Sequence, residues 1–211
     1  MDQRERMNAG LPYKAWLDGL EQDRLEAKKK TYAFNHLPPE DAEGSAAILR
    51  DLLGASGEGL WVEAPFRCDY GYNIRIGKNF YANYNLTILD VGLVTIGDNV
   101  MVAPNVSIFT AGHPIHPQAR NSGYEYGLPV TIGDNVWIGG GAILLPGVIV
   151  GSNTVIGAGS VVGRDLPPNV VAAGNPCRVV REITAADRDF YFRDRRFDVD
   201  DYLAPKDFAA P

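Results

Sequence analysis

Two histidines stand three residues apart in Ala111-Gly112-His113-Pro114-Ile115-His116-Pro117, where Gly112 and Pro114 restrict the backbone on either side of His113. An imidazole with an unperturbed pKa of about 6.5 takes a proton from a hydroxyl at neutral pH and passes it on, so His113 is the candidate general base. The remaining histidine, His36, follows Asn35 at a helix end and reads as a surface or capping residue. Cys68 and Cys177 lie far apart without metal-type spacing and read as free thiols, neither marked as a nucleophile. Arg178 and Arg181 follow the turn Gly174-Asn175-Pro176, and guanidinium groups so placed can meet phosphates through charge-assisted bonds.

The element that must hold these groups is announced by a period of six. Ile132, Ile138, Leu144, Val150, Ile156 and Val162 are evenly spaced, and glycine follows at 133, 139, 151, 157 and 163. Neither a helix nor an alternating strand has that period. It predicts an all-β solenoid, a parallel β-helix whose short strands wind round a prism with one inward aliphatic per side. The glycines are expected at corners, where φ is unusual and a Cβ would crowd the turn. Upstream, Ile76, Ala82 and Ile88 keep the period, a step of eight reaches Ile96, and Ile96, Val102 and Ile108 resume it. Between Ile108 and Ile132 the comb is interrupted by an excursion, placed at 109–131, that contains His113, His116 and Glu125. A long loop leaving a tightly wound solenoid is usually functional, so the chemistry is expected there and at the corner it leaves.

Flanking segments complete the organisation: helices over 1–57, the β-helix over 58–183, and a short helix and tail over 184–211. Tyr13, Trp16, Leu17 and Leu20 have helical spacing, as do Leu49, Leu52 and Leu53 after the break at Pro38-Pro39, with Gly54 as the cap. These helices are expected to shield an end of the solenoid or to line a substrate site. Thr184 and Asp187 form a capping box predicting a last helix through Phe192, followed by a tail carrying Phe197, Tyr202 and Phe208. At 211 residues, 45% hydrophobic and 22% charged, the composition is that of a globular domain with a sizeable core. A net charge of −6 argues against a nucleic-acid partner, and Lys28–Lys30 reads as a solvated helix face. No apolar run is long enough to span a membrane, and the start lacks a signal peptide's apolar region, so a cytoplasmic protein is expected.

Five segments together resemble the maltose and galactoside O-acetyltransferases. They are Phe66-Arg-Cys-Asp-Tyr-Gly-Tyr-Asn73, Asn79-Phe-Tyr-Ala-Asn83, Thr110-Ala-Gly-His-Pro114, Val136-Trp-Ile-Gly-Gly140 and Ala173-Gly-Asn-Pro-Cys-Arg178. The Cys-Asp-Tyr-Gly-Tyr and Trp-Ile-Gly-Gly segments lean towards the maltose-type branch. The resemblance implies a left-handed β-helix, a homotrimer with sites between subunits, and transfer of an acetyl group from acetyl-CoA to a sugar hydroxyl by direct attack. In it His113 matches the base, Asn83 and Tyr81 match acceptor-site residues, and Asp69 and Asp90 sit where the family holds sugar hydroxyls. Trp137, Gly140, Ala158, Gly163, Arg164, Arg178 and Arg181 match the CoA groove, with the Gly140 amide as an oxyanion donor. Glu125, in the loop, can orient His113 or the acceptor. Two departures stand out: Ala15 replaces an acceptor-holding Asp, with Asp18 a turn later, and Gly140 replaces a Ser. The acceptor therefore stays open among maltose, glucose, a galactoside or another hydroxylated compound.

Two other classes share this comb. A trimeric zinc lyase of the carbonic anhydrase type needs three histidine ligands, and the third histidine here lies in a helical region away from the loop. A non-catalytic hexapeptide scaffold leaves the histidine loop and the terminal arginines without a purpose.

Overall fold

The computed structural model describes residues 1–199 and 201–203. Its centre is the expected parallel β-helix, left-handed and triangular, with three stacked sheets as its faces. The first face stacks Ala55–Ser56, Ile74–Ile76, Val94–Ile96, Val130–Ile132 and Ile149–Val150. The second stacks Trp61–Val62, Tyr81–Ala82, Met101–Val102, Trp137–Ile138, Val155–Ile156 and Val170–Ala173, and ends on the antiparallel strand Arg178–Glu182. The third stacks Phe66–Cys68, Leu86–Leu89, Ser107–Phe109, Ile143–Leu144 and Val161–Val162. Each turn runs from first to second to third face and back.

The comb residues point inward in three columns. Ile76, Ile96, Ile132 and Val150 line the first, Ala82, Val102, Ile138 and Ile156 the second, and Ile88, Ile108, Leu144 and Val162 the third. All are buried in one continuous core. Register is thereby fixed, because a slip of one residue would turn each aliphatic outward. The glycines after these residues serve close approach rather than unusual φ. A Cβ on Gly97 would meet the Gly133 carbonyl carbon at 2.8 Å, whereas positive φ at that corner falls on Asn79, Asn99, Asn135, Asn153 and Asn169.

Both interruptions of the comb fall on the third-to-first corner, one coil above the other. The residues inserted at 90–93 form a seat for the loop: the Gly92 amide donates to Thr110 Oγ1, and a Cβ on Gly127 would meet Gly92 N at 2.8 Å. The excursion is shorter than 109–131, since Phe109, Val130 and Thr131 belong to coil strands. It has structure of its own: Ala111–Gly112 pairs antiparallel with Tyr126–Gly127, and a short helix covers Pro117–Asn121.

The N-terminal region differs from the expected pair of helices. Helices α1 (Gln3–Asn8), α2 (Leu20–Asn35) and α3 (Ala42–Leu52) form, but residues 11–19 do not continue a helix. Asp18 and Gly19 are left-handed, with φ of 54° and 83°, which breaks the apolar spacing read across them. Tyr13 and Leu20 are buried while Trp16 and Leu17 are exposed. Leu49, Leu52 and Leu53 do bury together, but Leu53 ends α3 and Gly54 instead lets Tyr72 approach. At the other end the Thr184–Asp187 capping box opens a 3-10 turn over Ala185–Asp189, after which Phe190–Phe192 is a strand rather than helix. Phe208 lies outside the described residues.

Candidate active site

The loop and its corner gather one set of groups. Asp69 and Asp90 follow adjacent strands of the third face, and Thr110 follows the next. Asp90 has 0% exposure; its Oδ1 accepts from the amides of Asp69 (3.0 Å) and Tyr70 (2.9 Å), while Oδ2 is buried without a partner. Burial pushes the Asp90 carboxyl up to about 6, and burial also raises Asp69 above the ordinary carboxylate range. Asp90 thus ties the coils together and meets no acceptor directly, while partly buried Asp69 faces Arg24 and Glu125.

Above this corner Gly112 leads into His113, which is exposed. His116 caps the helix 117–121, its Nδ1 accepting from the Gln118 amide at 3.3 Å. His36 is committed elsewhere, its Nδ1 bonded to Tyr32 O at 2.7 Å and its ring stacked on Tyr32. Glu125 pairs in both directions with Tyr13, through Tyr13 N to Glu125 O (2.9 Å) and Glu125 N to Tyr13 O (3.0 Å). The Tyr13 hydroxyl also donates to Glu125 Oε1 at 2.5 Å. Asp18, the carboxylate nearest Ala15, accepts from the Gln3 amide at 2.8 Å and holds the start of α1.

A second set lies on the second face and the corner after it. Trp61, Tyr81, Met101, Trp137, Val155 and Val171 stack as one outward column, and Trp137 is 51% exposed. A shallow hollow of about 240 Å³ runs beside Met101 and Trp137. At the corner, Asn83 precedes Tyr84, Pro104 sits one coil above, then Gly140, then Ala158; the rungs are joined by Asn105 N to Tyr84 O, Gly141 N to Pro104 O and Gly159 N to Gly140 O. Among the described residues the Gly140 and Ala158 amides donate to no protein group, leaving two stacked donors free for an extended ligand. A side chain at 140 would press on Pro104 O at 3.3 Å, so glycine keeps this edge open.

The terminal arginines close the same column. Strand 178–182 pairs Arg178 with Ala173 and Arg181 with Val171, a bulge absorbing Val180. Ala173 and Val171 are two apart and share a face, so the bulge puts both arginines on one face despite their odd spacing. Arg181 makes two bonds to Asp187, of 2.9 and 2.7 Å, which hold that carboxyl down at about 2.

One chain does not bring the two sets together. Tyr81, Asn83, Trp137, Gly140 and Ala158 lie on the second face and its corner; His113, Glu125, Asp69 and Asp90 lie at the next corner, with Gly163 and Arg164 higher on that same edge. The third face separates them, four residues wide at Leu86–Leu89, or about 13 Å. A cavity of about 540 Å³ between α3 and Trp61, Glu63 and Tyr84 contains none of the expected site residues. No motif in the sequence marks Tyr13, which reads there as part of an apolar helix face, or Met101 as a site residue. Met101 was findable, since residues just before the comb positions (81, 101, 137, 155) form the outward column. Tyr13 was not, because its partner is 112 positions away. Both cysteines are buried free thiols, and burial raises both above their ordinary value.

A triangular hexapeptide prism with an inserted histidine loop and a glycine-lined edge of free amides defines a hexapeptide-repeat protein. Residues 6–57 match the maltose acetyltransferase hexapeptide capping motif, and residues 129–164 match the six-repeat bacterial transferase hexapeptide. The chain is 49% identical over 194 residues to the galactoside O-acetyltransferase of Escherichia coli (strain K12), covering 92% of this chain and 96% of that one. A crystal structure of a maltose O-acetyltransferase from Clostridium difficile 630 superposes with a TM-score of 0.87 at 55% identity, covering 87% of this chain and 98% of that one. A galactoside acetyltransferase in complex with coenzyme A gives 0.91 at 49% identity, covering 94% and 100%. The chain belongs to the maltose and galactoside O-acetyltransferase family, and is an O-acetyltransferase. No helix among the described residues is long and apolar enough to cross a membrane.

Proposed function

We propose that the protein transfers acetyl from acetyl-CoA to a sugar hydroxyl, as a homotrimer whose sites lie between neighbouring subunits. The observation that carries this reading is the separation of the two residue sets onto different corners of one prism. His113 of one subunit, carried on a loop whose tip residue Ile115 is 93% exposed, reaches the glycine edge of the next. Exposed Met101, Trp137, Ile149, Val179 and Val180 supply apolar surface for such packing.

In that arrangement the pantetheine arm lies along the Gly140 and Ala158 amides beside Trp137, and Arg178 and Arg181 meet the phosphates. Gly163 and Arg164, from the other corner, close the groove. His113 takes the proton of the acceptor hydroxyl as its oxygen attacks the thioester carbonyl. The Gly140 amide stabilises the developing oxyanion, the carbon–sulfur bond breaks, and the sulfur leaves with the proton returned by His113. Tyr81, Asn83 and Asp69 hold the acceptor, Glu125 orients His113, and Asp90 supports Asp69 from beneath. A free-thiol release assay with acetyl-CoA against maltose, glucose, galactosides and simple alcohols tests the activity and ranks acceptors. Sedimentation tests the assembly: a monomer at micromolar concentration would remove the shared site.

A further inference from the structure

We infer that Tyr13 is a positioning residue for His113, acting through Glu125; the inference rests on the proposed role of His113 as base. The loop stub pairs Ala111 with Gly127 and Gly112 with Tyr126 in antiparallel register. Extending that register by one pair sets His113 opposite Glu125. Glu125 spends its backbone N–H and C=O on Tyr13, on the other side of its strand. The pairing with His113 is therefore of the non-hydrogen-bonded kind, in which facing side chains lie closest. Residue 13 faces Glu125 directly across the other edge. Tyr13 and Glu125 thus face each other beside a two-stranded ribbon, and continuing the ribbon's register brings His113 next in the row.

The chemistry of that row follows from its donors and acceptors. The Tyr13 hydroxyl donates to Glu125 Oε1 at 2.5 Å, which fixes the carboxylate plane and leaves Oε2 for an imidazole N–H. A carboxylate so held selects one imidazole tautomer and one ring orientation, leaving the other nitrogen to accept the acceptor's proton. Tyr13 is itself locked: it has 0% exposure and packs with Met7, Leu20, Tyr70 and Val91. Burial and the Glu125 carboxylate hold its hydroxyl well above the usual phenol range, so it stays a donor. Arg24 of α2 donates to Tyr70 at 2.6 Å, and Arg24 with Asp69 supplies the other charges around this cluster. The capping segment therefore reaches the chemistry through one hydroxyl.

Tyr13→Phe removes that oxygen and keeps the buried ring. It should lower kcat about tenfold, the effect of one charge-assisted hydrogen bond. The KM for acetyl-CoA should stay within about twofold, since the CoA edge is on another corner. Tyr13→Phe combined with Glu125→Gln should be no slower than Glu125→Gln alone, because both break the same connection. The ¹⁵N shifts of the His113 ring, measured without substrate, should report one tautomer in the wild type and averaging in Tyr13→Phe. An unchanged kcat, multiplicative losses in the double variant, or ring shifts indifferent to Tyr13 would each overturn the inference. Wild-type protein with the tautomer signature but no acetyl transfer would instead overturn the proposed function and leave the positioning intact.

Discussion

The first-to-second corner and the third-to-first corner are built from the same repeat and end in opposite designs. At the first, Asn79, Asn99, Asn135, Asn153 and Asn169 all take φ between 55° and 60°, and each of the first four donates its side-chain amide to the next over 2.8–3.1 Å. Asp98, Asp134 and Ser152 run a second ladder beside it. At the other corner no side chain repeats: Asp90 is buried with an unpartnered oxygen, Thr110 is turned onto the Leu89 carbonyl, and the next turn leaves the prism altogether. The excursion does not disturb the ladder, where Asn99 still meets Asn135 at 3.1 Å across 36 residues. One corner stabilises by repetition so that the other can depart from it.

The comparison is broken most severely at the loop. His113→Ala should reduce acetyl transfer by about 10²–10⁴-fold with folding intact. Mixed assembly sharpens this. Chains carrying His113→Ala, refolded with chains carrying Trp137→Ala, should regain a measurable part of the activity each lacks alone, because an interface between the two kinds joins an intact loop to an intact edge. No recovery in the mixture, with trimers formed, would place both sets in one subunit and contradict the corner assignment.

Asp90 comes next. Its folded pKa of about 6 lies above the ordinary carboxylate value, so the folded state holds its proton longer than the unfolded chain does. The stability this confers is complete below about pH 4 and is lost as pH rises towards 6, a change on the order of 3 kcal/mol. Urea unfolding across pH 4–7 should show that decline in the wild type and a flatter profile in Asp90→Asn. Parallel curves for the two proteins would mean the buried oxygen finds a partner in solution.

On the regular corner the effect is smaller. Asn135→Ala puts at φ 57° a residue that tolerates the left-handed region less well than Asn, and removes two ladder bonds, which together should cost about 2 kcal/mol. Asn135→Gly removes the bonds without the backbone strain and should cost about half as much. Neither should move the KM for either substrate. Equal losses for Ala and Gly would assign the corner's stability to the bonds alone.

Legibility in the sequence follows the same division. The prism was readable because every inward position repeats an apolar type at one spacing, and burial demands that regularity. The interruptions, and His113 within the longer one, were readable as departures from it. Tyr13 was not, because its helical spacing to Trp16, Leu17 and Leu20 mimics an amphipathic face, while Asp18 and Gly19 turn the chain aside. Its burial is set by Glu125, a contact that no local pattern encodes. Asp90 reads in the sequence as a carboxylate for sugar hydroxyls, whereas its role as an internal brace depends on the amides of Asp69 and Tyr70, from the neighbouring coil.

The smallest expected effect lies at the far end of the second face, where regular structure and function meet. Arg178 and Arg181 share a face only because of the bulge at Val180, and Arg181 is already engaged by Asp187. If they hold the phosphates of acetyl-CoA, they act some three strand spacings from Trp137, about 14 Å from the thioester end. Binding energy spent there serves ground state and transition state alike, so it enters KM rather than kcat. Both guanidinium groups are exposed, which weakens them further in salt. Replacing both with Ala should raise the KM for acetyl-CoA roughly threefold to tenfold at low ionic strength, with kcat and the KM of the acceptor little changed. The gap between variant and wild type should narrow as salt is added. A fall in kcat at unchanged KM would move these arginines from the cofactor's tail to the reacting end, and the column from Tyr81 to Arg181 would no longer describe the path of the cofactor.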